Sequence, residues 1–527
     1  MTAAESSAIM AAAEPFERRG QRRLLLVAAG LLVAAFVPLS GLPAPLQALL
    51  PALCILLATA PLFASFARGG SYGRMALFAA LWWGCGCIWL CGLDPVLGPF
   101  AWLAAIILAV LQTAPLGWVL ARLRTRWGVS DFLWWAPIAY TGWEWARSFP
   151  PTGTPWFSLG YAFWKLPVLC QLAEVTGVPG ISFVIATIGA GLARPLLGRR
   201  DDRLQLALGV GLFGGLLFYG TARLATIDVT SGRTVRVALV QPDIAFQEKK
   251  ATPAIEQFES VMALTRGIAP GEDLVIWPET AVPALVERPP YRGELAAQAR
   301  RMGCTLVAGA FHEVVGDGTW PPADLAARGL RPISNAAILF GPDGGVADVY
   351  SKVRLVVFGE YTPGRQYPWI SPIARQSPQF FAGRRLRAVD TPLGRLGLGI
   401  CYESVFPGDC RAFVRDGAQA LVILTNDDQL LQMGARQHFE QAVFRCIENR
   451  RWMARVANGG ISAVIDPAGR VVAASNWDER TVVRGELHLR GGRTLEVRLG
   501  GWFGALCAIM TLVAMFAPRP RRPRGED

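Results

Sequence analysis

Three reactive side chains each stand where an apolar run stops. Glu279 closes "DLVIWPET", Lys352 follows "VADVYSK", and Cys401 ends "GRLGLGIC" just before Tyr402 and Glu403. A cysteine so placed is a candidate nucleophile, and a thiol needs a proton acceptor to become one. Histidine is the usual acceptor near neutral pH. This chain has three, His312, His438 and His488, and none lies in a stretch that reads as a site. A carboxylate can serve instead if burial lifts its pKa towards neutrality. A lysine beside the thiol would favour the thiolate and could donate to the oxyanion of a tetrahedral intermediate. Singly, each residue has a plainer reading: a solvated strand cap, a surface lysine, a core cysteine. Their joint occurrence, with Pro278 and Gly399 punctuating two of the runs, argues for chemistry.

Lysine usage sharpens the point. Of 52 basic residues only four are lysine, Lys165, Lys249, Lys250 and Lys352. Arginine serves wherever a generic positive charge will do, so a retained lysine is a candidate for work that a forked guanidinium cannot perform. The ten cysteines form no framework. Cys54, Cys85, Cys87, Cys91, Cys170 and Cys507 lie in or beside apolar runs, Cys304, Cys401, Cys410 and Cys446 elsewhere. With no C-x-x-C pair, zinc and thioredoxin-like readings have little support, and neither a metal nor a cofactor is expected.

The elements that position these residues divide by composition. Hydrophobic residues make up 52% of the chain and charged ones 17%, against roughly a quarter charged in soluble domains. The excess falls in 24–223 and 499–517, whereas 225–495 reads as a soluble domain. Candidate spans are 24–39, 43–66, 74–92, 100–122, 131–146, 179–197, 204–223 and 499–517, eight in all. The first is expected to be a span rather than a cleaved signal peptide, because more spans follow. The net charge of +12 resides largely in arginine clusters at 18–23, 68–74, 122–126, 194–203 and 519–524. Each flanks an apolar run, the pattern of cytoplasmic loops, and no basic stripe with interleaved aromatics suggests nucleic acid. One orientation places every cluster inside. The segment 1–23 and the tail 518–527 are then cytoplasmic, and the loop 147–178 and the domain 225–495 lie outside. The aromatic-rich loop 147–178 is either an interfacial belt or a surface that receives a lipid.

The domain 225–495 alternates strands and helices, a mixed α/β layered pattern. Its segments "WPET", "SKVRLVVFGEY" and "GICYES" resemble the Glu–Lys–Cys signature of the nitrilase superfamily, which implies an αββα sandwich for 225–495. Joined to seven spans before and one after, the chain resembles the membrane-embedded branch of that superfamily, the apolipoprotein N-acyltransferases. "TPWFSLGY", "TGVPGISF", "QPDI" and "QHFEQAVFRCIENRR" add to the likeness. The resemblance implies an acyltransferase of lipoprotein maturation in a bacterial inner membrane, its catalytic domain periplasmic. A phospholipid would donate an acyl chain through a Cys401 thioester to the α-amine of a diacylglyceryl-cysteine apolipoprotein. Glu279, Lys352 and Cys401 would form the triad, with Tyr402, Glu360, Glu403 and Asn335 in support.

The chain also departs from the family. Asp428, Gln429 and Leu430 follow "ILTND" where a small residue, Trp, Phe and Gly are usual. Gly459 follows Asn458 where a second asparagine is usual, and Val357 stands where proline is common. The segment 358–370, "FGEYTPGRQYPWI", is expected to be a lid rooted at Glu360, with Tyr361, Tyr367 and Trp369 suited to a membrane–water boundary. Two other readings compete. A membrane-anchored nitrilase-type amidase would explain the triad but would need one anchor, not eight. A transporter or receptor would want ionisable groups within its spans, where Glu144 is the main one.

Overall fold

The computed structural model describes residues 20, 22–35, 42–69, 72–93, 95, 97–149, 153–198, 203–314, 332–364, 367 and 379–518. The chain divides into two compact units, Met1–Thr226 with Gly501–Asp527, and Ile227–Gly500.

The first unit is helical. Among the described residues four helices are long and apolar enough to cross a membrane: Ala44–Ala67, Leu97–Ala146, Val178–Leu196 and Leu204–Thr226. Shorter apolar helices cover Tyr72–Gly86 and Trp502–Phe516. The helical backbone of Leu97–Ala146 is broken at Gly128, where φ is 77° and ψ 175°. That break lies between the two runs expected as separate spans at 100–122 and 131–146. Helices approach closely where side chains vanish: a Cβ on Gly142 would lie 2.7 Å from the Ala508 Cα. Such small-residue contacts are what hold helices together in a solvent as apolar as their own side chains. More ionisable groups are buried here than Glu144 alone. Arg194 is fully buried and donates from Nε to Gln205 Oε1 at 3.0 Å, and Glu144 accepts the Leu159 N–H at 2.8 Å.

The second unit is built on two sheets. The strands of the first are β1 (Arg233–Gln241), β2 (Leu274–Ile276), β3 (Val282–Leu285), β4 (Thr305–Glu313), β5 (Ile333–Phe340) and β6 (Val346–Ser351). Those of the second are β7 (Ala388–Thr391), β8 (Gly394–Ile400), β9 (Ala420–Thr425), β10 (Met453–Ala457), β11 (Ala463–Ile465) and β12 (Val471–Ala474), and β13 (Thr481–Leu489) returns to the first. One sheet runs β13-β1-β2-β4-β5-β6, with β3 also pairing β4, and the other runs β12-β11-β10-β9-β8-β7. In each the central strands are parallel, β1-β2-β4 and β8-β9-β10, and antiparallel hairpins close the edges. Parallel strands need both faces covered, which is why "LVI" of β2 and "ALVILT" of β9 read as unbroken apolar runs. Helices Ala254–Arg266 and Tyr291–Met302 pack on the first sheet and Pro407–Arg415 and Leu431–Asn449 on the second. The sheets meet through β1 against β10 and β5 against β8, so the unit is a helix–sheet–sheet–helix sandwich.

Parallel order decides where function can sit, because loops leaving the carboxyl ends of adjacent parallel strands converge on one crevice. The first sheet's helical layer is anchored by Phe258, whose ring lies 5.2 Å from Tyr291 and 5.8 Å from Trp277, centroid to centroid. Phe258→Ala should cost about 3–5 kcal/mol, as expected for deleting a fully buried aromatic. Denaturant unfolding of the purified protein, followed by tryptophan emission, checks this.

Candidate active site

Glu279 follows β2, Lys352 follows β6 and Cys401 follows β8, and the fold gathers them. Gly309 of β4 is what lets the glutamate turn in. A Cβ there would lie 2.1 Å from the Pro278 carbonyl oxygen and 2.8 Å from the Glu279 Cα. Only a glycine allows that strand to pass so close beneath the turn.

Lys352 is 1% exposed, and its ammonium is held between two carboxylates. Nζ lies 3.0 Å from Glu279 Oε1 and 2.9 Å from each oxygen of Glu360. Asn335, in β5, donates both hydrogens of Nδ2, one to Glu279 Oε1 and one to Glu360 Oε1, each at 2.7 Å. Glu360 Oε2 also accepts the Val356 N–H at 2.8 Å. Burial alone would lower the Lys352 pKa, but Glu279 and Glu360 hold it well above its ordinary value. The lysine is therefore a fixed ammonium, not a proton carrier.

Cys401 occupies a sharp turn between β8 and the single 3-10 turn Cys401–Val405, with φ at +50°. A non-glycine residue in that region is strained, and strain at a nucleophile is a common price of exposing its side chain to a crevice. Burial pushes the thiol pKa up, the Glu279 charge pushes it further, and Lys352 draws it only part of the way back. The net shift is upward, so the resting thiol is protonated and reaction needs a base. Glu279 suits that task, because its Oε2 makes no hydrogen bond among the described residues while Oε1 is held by Lys352 and Asn335.

Glu403 ties the nucleophile to the lysine. It is fully buried, and Oε2 accepts the Ile400 N–H at 2.7 Å, directly before Cys401. Oε1 accepts the Val353 N–H at 2.7 Å, directly after Lys352, and the Tyr350 hydroxyl at 2.8 Å. Burial lifts its pKa to about 7, and these donors keep it from rising further. Arg354 adds a second anchor, a paired contact to Asp409 at 2.6 and 2.7 Å.

A histidine does lie beside Cys401, contrary to the sequence expectation. His438, on Leu431–Asn449, reaches the Cys401 carbonyl oxygen at 3.2 Å and Ser404 Oγ at 2.8 Å through Nε2. Its Nδ1 faces Asp427 Oδ1 at 2.9 Å, and Arg455 pairs with the other oxygen of Asp427. The separation of 37 residues between His438 and Cys401 carries no local signal in the sequence. Cys401, Asp427 and His438 bring ligand-type atoms within 4.8 Å of one another. A cation there would face the Arg455 guanidinium, so the set reads as a hydrogen-bond network rather than a metal centre.

The remaining expected residues divide. Tyr402 directly follows the nucleophile, its ring edge-on to Phe406. Tyr361 is half-buried, its carbonyl accepting the Phe358 N–H at 2.7 Å across a tight turn. That turn points Val357 and Phe358 outward, both about half exposed, as is Tyr367. Trp369 lies outside the described residues. Two of the three departures from the family pattern sit together, for a Cβ on Gly459 would lie 2.8 Å from that of Asp428.

Known proteins match this chain along most of its length. The model of the carbon-nitrogen hydrolase family covers residues 236–495, and that of the apolipoprotein N-acyltransferase N-terminal domain covers 28–191. Apolipoprotein N-acyltransferase of Geobacter metallireducens is 33% identical over 70% of this chain and 71% of its own. That of Chlorobaculum tepidum is 33% identical over 80% and 81%. A solved nitrilase-superfamily protein, Saccharomyces cerevisiae Nit3, aligns with 50% of this chain and 92% of its own, at 20% identity and a TM-score of 0.37.

Glu403→Gln tests the tie between nucleophile and lysine. An amide must turn one N–H donor towards Ile400 or Val353, leaving a buried donor unmatched, at a cost of about 1–3 kcal/mol. The expected result is a lower unfolding midpoint together with slower alkylation of Cys401 by iodoacetamide.

Proposed function

Because the chain belongs to the apolipoprotein N-acyltransferase family, we propose that its second unit carries out that acyl transfer with Glu279, Lys352 and Cys401. The chain is an acyltransferase of lipoprotein maturation and an inner-membrane protein. Its donor is a phospholipid and its acceptor the α-amine of an apolipoprotein's S-diacylglyceryl-cysteine. In this reading the chain crosses the membrane eight times, with the catalytic unit periplasmic and both termini cytoplasmic, as the arginine clusters beside the apolar runs favour. The observation that carries the reading is the fixed Lys352 ammonium beside a protonated, half-buried thiol and a carboxylate with one oxygen to spare.

Glu279 Oε2 takes the Cys401 proton as the sulfur attacks the ester carbonyl. The carbonyl π pair moves onto oxygen, where Lys352 Nζ and the Tyr402 N–H stabilise it. As the tetrahedral intermediate collapses, the C–O bond breaks, and the lysophospholipid alkoxide leaves with the proton from Glu279. A thioester remains. The amine then attacks the thioester carbonyl, and Glu279 removes one of its protons. Collapse forms the amide and expels the Cys401 thiolate, which recovers that proton. A fixed ammonium suits both halves, since each passes through the same oxyanion. The segment 358–370, rooted at Glu360, is the lid of this reading and opens for two bulky lipids in succession; residues 365–366 and 368–370 lie outside the described residues.

Mixing the enzyme with phospholipid alone should give a mass increase of one acyl chain on Cys401, and Cys401→Ser should remove it while leaving the protein folded. An adduct on Cys304, Cys410 or Cys446 would reject the assignment. Water as the second-step acceptor, with simple amides turned over, would favour the amidase instead. Lys352→Arg should be nearly as damaging as Lys352→Ala, each lowering acylation about a hundredfold or more, because the broad guanidinium cannot occupy a point between two carboxylates. Single-turnover acylation rates measure this.

A further inference from the structure

Lys249 has no task in the steps above. It lies on the short helix Phe246–Ala251, in the segment that leaves β1. That segment is pinned over the carboxyl ends of β9 and β10. Asn458 Oδ1 accepts the Ile244 N–H at 3.3 Å, and its Nδ2 donates to the Ile244 carbonyl at 2.8 Å. Asp428 Oδ2 accepts the Phe246 N–H at 2.5 Å. Gln257 Nε2 donates to the Lys249 carbonyl at 2.9 Å, fixing the backbone that carries the side chain. Gly459 leaves the room that Asp428 fills, so both of these departures from the family pattern serve this one anchor.

The stem of Lys249 is partly exposed, but Nζ is buried and makes no hydrogen bond among the described residues. Burial draws its pKa down to about 8, and the charges of Glu279 and Asp428 recover only part of the drop. A buried ammonium without a direct partner is costly, and native proteins rarely keep one without a ligand to meet it. Here it stands within the electrostatic reach of the catalytic carboxylate.

We propose that Lys249 binds the phosphodiester of the phospholipid donor, holding the lipid head while its ester carbonyl meets Cys401. This rests on the acyl-transfer reading. Donor and acceptor both bring ester-linked acyl chains on a glyceryl unit, so neither feature tells them apart. The phosphate anion belongs to the donor alone. The acceptor brings an amine, which in its protonated form a bare ammonium repels. One lysine thus favours the first lipid and admits the second only as the free amine that can react. Once the lysophospholipid departs with its phosphate, nothing in this subsite holds the acceptor in the donor's position.

The test compares two donors with identical acyl chains, a phosphatidylethanolamine and a diacylglycerol, presented to the full-length enzyme in mixed micelles. The readout is the rate of Cys401 thioester formation. Lys249→Met should slow acylation by the phospholipid about tenfold to a hundredfold, the range for losing a charge-assisted hydrogen bond. The effect should appear as a raised half-saturating concentration, with diacylglycerol unaffected within about twofold. Lys249→Arg should restore most of the phospholipid rate. Glycerol 3-phosphate should inhibit wild-type acylation by diacylglycerol and leave the Lys249→Met enzyme unaffected. Equal losses with both donors would overturn the proposal, since Lys249 would then act only through Glu279. Inhibition by inorganic phosphate as strong as by glycerol 3-phosphate, with no preference between lipids, would overturn it too, marking a site for free phosphate. Should Lys249→Met fail to fold, judged by a lost cooperative unfolding transition, the wild-type donor comparison and the Lys249→Arg rates decide. If neither lipid acylates Cys401 in the wild type, it is the acyl-transfer reading that fails.

Discussion

A buried ammonium is costly to leave unpaired, and much of the catalytic unit is arranged around that constraint at Lys352. Lys352 needs anionic partners to remain charged out of water. It finds them in Glu279, at the end of a strand in the middle of its own sheet, and in Glu360, on a tight turn eight residues downstream. Those carboxylates would repel each other without the lysine and without Asn335, which gives each of them a hydrogen bond. Removing the lysine would leave two carboxylates facing each other in a low-dielectric interior. The same economy explains why the thiol rests protonated: the lysine's charge is already committed to two carboxylates before the sulfur can draw on it.

The triad was legible in the sequence for a physical reason. Each member terminates an apolar run, and parallel strands deliver their carboxyl ends to one side. Lysine scarcity then marked Lys352 among 52 basic residues. The hairpin around "GPDGG" and the helix after Cys401 were equally readable, because turn chemistry and helical period are local signals. His438 was not legible. It sits mid-helix, 37 residues from the carbonyl it reaches, and only the crossing of that helix behind β8 and β9 makes the contact. Lys249 was noticed as a scarce lysine but had no visible role, since what distinguishes it is a partner it lacks, and burial without a partner leaves no mark in composition. The break at Gly128 shows the converse: two runs separated by arginines were readable as separate elements although the backbone is helical on both sides of that glycine.

His438 and Ser404 bear on the reaction through the backbone. Both meet the carbonyl oxygen of Cys401, which belongs to the same peptide plane as the Tyr402 N–H. A peptide group held at its oxygen rotates less freely, so His438 and Ser404 together set the direction of that N–H. Asp427 orients the imidazole in turn, and Arg455 neutralises Asp427. The network runs from the second sheet's interior to the rim of the site without a break.

Glu403 has a mechanical consequence. By gripping the residue before the nucleophile and the residue after the lysine, it makes the β8 turn and the β6 exit a single rigid body. Solidification of that body accompanies folding, so no ordering entropy remains to be lost when a lipid arrives.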